Sequence, residues 1–150
     1  MDKHPNNVYL CMCVGELLSQ LGDIVSAMTL FRKAHKLDSK SPLPFVNAAR
    51  TYQQIGQLAS ARRHLDKAIS ADSSFAMSLI DMAQIHLHSG STNSALSTLN
   101  DALYLARHMS EIKDVLIAKK MAFVQLKLEE KGISRPIFSQ KNEDVSMALQ

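Results

Sequence analysis

Apolar side chains recur every three to four residues along most of this chain, in runs broken by short polar or glycine-bearing stretches. That spacing puts them on one face of a helix. Tyr9, Met12, Cys13, Leu17 and Leu21 predict a first helix over Val8 to Leu21. Gly22-Asp23 ends it: glycine accepts a left-handed turn, and Asp23 suits the cap of the next helix. Ala27, Leu30, Phe31 and Ala34 are the inner stripe of a second helix over Ile24 to Leu37. Asp38-Ser39-Lys40-Ser41 separates it from a third, for which Pro42 or Pro44 suits the first turn. The plan then repeats over Leu43 to Ile55 and Leu58 to Ser70, and over Phe75 to His88 and Thr92 to Arg107. Glu111 to Lys131 predicts one longer helix, stopped by Gly132.

A second, longer period overlies the helical one. Gly22, Gly56 and Gly90 lie 34 residues apart, as do Ala27, Ala61 and Ala95, and Ala34, Ala68 and Ala102. Gly15, Ala49 and Ala83 keep the same step, whereas Leu30, His64 and Thr98 keep it without sharing any property. The strict positions are those that need a small side chain. Such a period marks a helical array in which each unit buries its apolar face against its neighbours.

On these residues the chain resembles tetratricopeptide repeat proteins, whose unit is a helix–turn–helix of 34 residues. The small residues fill the family's positions eight, fifteen, twenty and twenty-seven, and Phe31, Leu65 and Leu99 fill its large position twenty-four. Departures are Cys11, Phe45 and Leu79 at the Trp-like position, Leu18 and His86 at a Tyr position that keeps Tyr52, and Ser39, Ser73 and Arg107 at the closing Pro. The resemblance implies an all-α solenoid of three repeats, over residues 8–41, 42–75 and 76–109, with a capping helix at 110–131 and a flexible tail at 132–150. A looser resemblance is to the C-terminal repeats of the large receptor of the mitochondrial outer-membrane import complex. Ser41-Pro42-Leu43-Pro44-Phe45, Leu105-Ala106-Arg107 and the stretch from Gly132 to Pro136 carry it.

Pro5-Asn6-Asn7 leaves two readings open: a link after a completed repeat, which makes the chain part of a larger array, or simply the start of the first helix. In the cap, Ile112, Val115, Leu116, Phe123 and Leu126 are expected to form one apolar stripe. Lys113, Lys119, Lys120, Lys127 and Lys131, with Glu129 and Glu130, would make the wetted outer side that a terminal cap needs.

Composition narrows the chemistry. The net charge of +3 is too mild for a nucleic-acid footprint, although Arg32-Lys33 and Arg62-Arg63-His64 keep an RNA-binding helical repeat as an alternative. Cys11 and Cys13 point to opposite sides of a helix, so they read as reduced thiols rather than a disulfide. With no secretory leader pattern and no bilayer-length apolar run, the expected location is cytoplasmic, with no membrane span. The histidines do not converge, so no metal is expected: His86 and His88 diverge on one helix, and His35 and His64 sit at unmatched repeat positions. No phosphate loop, nucleophile elbow or HExxH is present, so no cofactor and no catalytic residue are expected and the chain is not read as an enzyme.

What remains is a surface. In this family, positions two, five and nine of each first helix line the groove: here Tyr9, Met12 and Glu16; Leu43, Val46 and Arg50; Met77, Ile80 and Gln84. Position twelve adds Ser19, Gln53 and Leu87. Positions two and five are apolar throughout, so the expectation is an apolar stripe that anchors a protein or peptide partner, the work of a scaffold or adaptor. The competing reading is that the cap or tail covers the stripe. The family's clamp for chaperone C-termini does not carry over, because its positions fall on Met12, Glu16, Asn47, Met77 and Asp81, of which only Asn47 suits a carboxylate. An accessory role in mitochondrial precursor recognition is the other alternative. An open stripe predicts that Val46→Asp leaves the fold intact and weakens binding.

Overall fold

The computed structural model describes residues 7–133, and these form seven helices and no strand. They are α1 (Val8–Gln20), α2 (Ile24–Leu37), α3 (Leu43–Gln54), α4 (Leu58–Ala71), α5 (Ala76–His88), α6 (Thr92–Leu105) and α7 (Met109–Glu130). This is an all-α helical-repeat fold, and every helix read from the sequence is present with ends shifted by no more than two residues. α6 stops at Leu105, short of the expected Arg107, and α7 starts at Met109 rather than Glu111. The reason is a cap that the periodicity does not reveal. The Glu111 carboxylate folds back to accept the backbone N–H of Arg107 at 2.9 Å and of His108 at 3.1 Å. The bond from Arg107 contributes most to holding its pKa below the usual carboxylate range; partial burial opposes the shift.

The turns between paired helices share one construction. Gly22, Gly56 and Gly90 have φ of 87°, 75° and 75°, the left-handed region that a side chain resists. The residue after each glycine donates its N–H back into the preceding helix: Asp23 to Leu18 at 2.9 Å, Gln57 to Tyr52 at 2.9 Å and Ser91 to His86 at 2.8 Å. Each glycine bonds one residue further on, which completes a Schellman motif. Asp23 then caps α2 through the Ser26 N–H at 3.1 Å. Bonds from the Ser26 hydroxyl and N–H keep its carboxylate pKa below the usual range.

The chain packs as two compact units that divide after Ser78, within α5. In the first, α1 lies against α2, α3 against α4, and α3 also touches α1 and α2. Cys11 and Met12 of α1, Ala27, Met28, Phe31 and Ala34 of α2, and Ala48 of α3 share one core. Gly15 shows why repeat position eight must be small. A Cβ there would lie 2.7 Å from Phe31 Cε1, well inside contact distance. In the second unit, Ile80 and Ala83 of α5, Leu99 and Ala102 of α6, and Val115 and Ala118 of α7 form a core. Leu87, Ala95 and Ala122 extend it toward the other end of the helices.

Two expectations about α7 change. The single apolar stripe splits: Val115 is fully buried, whereas Leu116 and Phe123 are half exposed. The outer side is therefore not a wetted lysine face; its lysines interleave with bare apolar side chains. The tail beyond Ile133, with Pro136, lies outside the described residues, as do Pro5 and Asn6. Asn7 is the cap of α1, accepting the Leu10 N–H at 3.3 Å.

Candidate functional site

The expected groove residues separate by repeat position, because a helix with neighbours on two sides hides more than one stripe. Position five is core: Met12 is 8 %, Val46 0 % and Ile80 2 % exposed. Met12 and Ile80 belong to the cores of their respective units. None of the three offers surface to a partner, so the continuous exposed stripe does not form. Its physical reason is the seam. Met12 packs into the core with Ala27, Met28 and Phe31 of α2, and Ile80 into the core with Leu99 of α6 and Val115 of α7, so these side chains close against neighbouring helices. With Val46 buried, Val46→Asp is expected to destabilise the fold rather than to be tolerated. Position two behaves differently: Tyr9 is 77 % and Leu43 45 % exposed, and Met77 is half-buried. At position nine, Glu16 and Gln84 are exposed and Arg50 is half-buried. At position twelve, Ser19 and Leu87 are buried and Gln53 is half-buried.

Within the first unit, α1 and α3 present a small polar notch of about 50 Å³. Glu16 and Gln20 of α1 face Asn47, Arg50 and Gln54 of α3 across it. Its floor is held by hydrogen bonds. The hydroxyls of Ser19 and Thr51 lie 2.8 Å apart and either can donate to the other; the one that does not is left to donate onward, Ser19 to Gln54 Oε1 or Thr51 to the Asn47 carbonyl, each at 3.0 Å. These bonds tie α1 to α3 and fix the side chains around the notch. Periodicity alone did not point to Ser19 and Thr51 as a joined pair, because they are 32 residues apart. Tyr9 stands on the same helix as Glu16, and its phenol shares a hydrogen bond with the Cys13 side chain, which raises its pKa above the usual phenol value. The notch can therefore exchange hydrogen bonds with a peptide backbone, beside two exposed apolar anchors.

Other candidate chemistry stays dispersed. Arg32, Lys33, Arg62 and Arg63 are exposed on the return helices α2 and α4, with Arg63 donating to the Ser60 hydroxyl at 3.2 Å. His35 packs at a tilt against Phe45, 4.6 Å between ring centroids, and His64 against Tyr52 at 5.0 Å. Among the described residues, no three His, Cys, Asp or Glu side chains come together in a way that could hold a metal ion. Cys11 is buried, Cys13 half-buried, and both are free thiols. No described helix is long and apolar enough to cross a membrane.

Residues 45–75 match the family model described as tetratricopeptide repeat. A comparison with curated protein sequences finds no match. Among solved structures, the chain is similar to the TPR2B domain of yeast Sti1 in its pHsp70 complex, at 19 % identity and a TM-score of 0.68, over 79 % of this chain and 97 % of that one. It is also similar to the Yersinia enterocolitica type III secretion chaperone SycD in complex with a peptide of the translocator YopD. That likeness has 18 % identity and a TM-score of 0.69, over 87 % and 99 % of the two chains. The first TPR domain of human RPAP3 superposes with a TM-score of 0.70 at 15 % identity, over 85 % and 98 %. The chain thus carries a tetratricopeptide repeat and has the fold of tetratricopeptide-repeat domains.

Proposed function

We propose that this chain is a non-catalytic protein-interaction module that holds a peptide segment on the α1–α3 face of its first unit. The observation that carries the reading is the polar notch between Glu16 and Arg50, rigidly floored by Ser19 and Thr51, beside exposed Tyr9 and Leu43. The peptide backbone exchanges hydrogen bonds with Glu16, Asn47 and Gln54, and its apolar side chains cover Tyr9 and Leu43. Structures of the same fold support this: the Sti1 domain is seen with pHsp70 and SycD with a YopD peptide. Two anchors cannot supply high affinity. Each burial contributes about 1.5–3 kcal/mol, and ordering a flexible peptide offsets much of it. Met12, Val46 and Ile80 act here as the buried backing of their helices, and Gln84 and Met77 are further polar and apolar positions on α5. The readings as a precursor-recognition accessory or an RNA-binding repeat draw less from this geometry. The RNA-binding reading needs Arg62 and Arg63, which lie on α4 rather than on α1 or α3.

The test is selection of random displayed peptides on the full chain, followed by titration of the selected peptides. Leu43→Asp is expected to weaken binding by at least about tenfold, roughly 1.4 kcal/mol, with melting unchanged. Selected peptides that bind Leu43→Asp and Tyr9→Ser as well as the parent would refute the α1–α3 assignment.

A further inference from the structure

α7 is apolar on two sides, and only one of them is used. Val115, Ala118 and Ala122 are buried in the second unit's core. Roughly half a turn around the helix, Leu116 is 52 %, Phe123 51 % and Val124 46 % exposed. These three, with Lys119, Lys120 and Lys127, line a shallow trough of about 460 Å³. Three large apolar side chains about half exposed within about three turns form a patch of the kind that marks an interaction site, and nothing among the described residues covers it.

We propose that this trough docks an acidic amphipathic helix of another protein. Shape supports a helix. The trough runs between ridges of α7 at the spacing of 116, 120, 123 and 127, into which the ridge of a second helix fits. Charge selects its chemistry. All three charged side chains lining the trough are lysines. Lys119 Nζ already donates to Asn100 Oδ1 at 2.8 Å, so glutamates flanking an apolar stripe would pair chiefly with Lys120 and Lys127. A second copy of this chain is the wrong occupant, because a two-fold contact through this face sets the same lysines against each other. A bilayer surface is the competing occupant, and vesicle binding is read alongside the peptides. The site is independent of the α1–α3 face, and either can fail without the other.

The probe is a labelled helical peptide of about 18 residues, five turns long, with leucines at three- and four-residue spacing flanked by glutamates. Its counterpart carries lysines in place of the glutamates. Fluorescence anisotropy with the full chain should show saturable binding of the acidic peptide only. Lys120→Glu/Lys127→Glu should lose at least about tenfold in affinity and bind the basic peptide instead. Lys113→Glu, exposed on α7 outside the trough, should change little. Phe123→Ser should weaken the acidic peptide with helicity by circular dichroism unchanged. The proposal is overturned if the acidic peptide fails to saturate, or if the double variant binds it as the parent does. It is equally overturned if Phe123→Ser instead abolishes self-association in sedimentation or binding to phosphatidylserine vesicles while leaving the acidic peptide unaffected.

Discussion

The α1–α3 face and the outer side of α7 carry similar sequence patterns and opposite outcomes. On α1 and α3 the pattern promises an apolar stripe, yet Met12 and Val46 are sealed and the surface between the helices is polar. On α7 the pattern promises a wetted lysine side, yet Leu116, Phe123 and Val124 stand half bare between the lysines. The difference lies in neighbours. α3 is packed against α1, α2 and α4, so every apolar position near a seam has somewhere to go. α7 has α6 and α5 on one side, and its remaining apolar positions have nothing to fall into. An apolar residue stays exposed when its side of an element has no neighbour, not when the sequence is more apolar.

The largest effect should come from Val46→Asp. A carboxylate at a 0 % exposed position must be desolvated without a partner or displace the helices around it. We expect a loss of at least about 3 kcal/mol in urea unfolding. Leu43→Asp, one turn away at 45 % exposure, should stay within about 0.5 kcal/mol of the parent. Equal stabilities for the two variants would mean that the α3 face is open and the contrast with α7 false.

Within α7 the two sides should differ by less. Val115→Ala removes two buried methyl groups and should cost about 2 kcal/mol, including the residual cavity. Leu116→Ala, its sequence neighbour, should cost about 0.5 kcal/mol. Thermal melting of the pair reads this directly, and a Leu116 variant as damaging as the Val115 one would show that the outer side is already covered.

The smallest effect belongs to Glu111, which fixes where α7 begins. Its folded-state pKa lies below the unfolded value, so its contribution is present above about pH 4.3 and is lost as pH falls through the folded value. Solvent screens this carboxylate, so the contribution is about 0.5 kcal/mol or less. The melting difference between the parent and Glu111→Gln should therefore shrink toward zero between about pH 6 and about pH 3. A difference that persists at the acidic end would assign the cap to packing of the side chain rather than to its charge.

The helices, their turns and the small-residue contacts are legible in the amino-acid order alone. These depend on local rules and on a strict step of 34 residues. Gly22, Gly56 and Gly90 read as left-handed turns because side chains rarely adopt that backbone, and Gly15 reads as a close approach because a Cβ there would crowd Phe31. Asp23 was readable as a cap for the same local reason. Which apolar residues stay at the surface depends on how the helices pack. Periodicity assigns a side chain to a face but cannot say how many helices lie against it. Val46 and Leu43 are both apolar and three residues apart, and the seam took one and left the other. The Ser19–Thr51 bond and the fold-back of Glu111 onto Arg107 were hidden for a related reason. A polar side chain's partner is set by which helices and turns come to lie beside it, and that is a property of the packed chain.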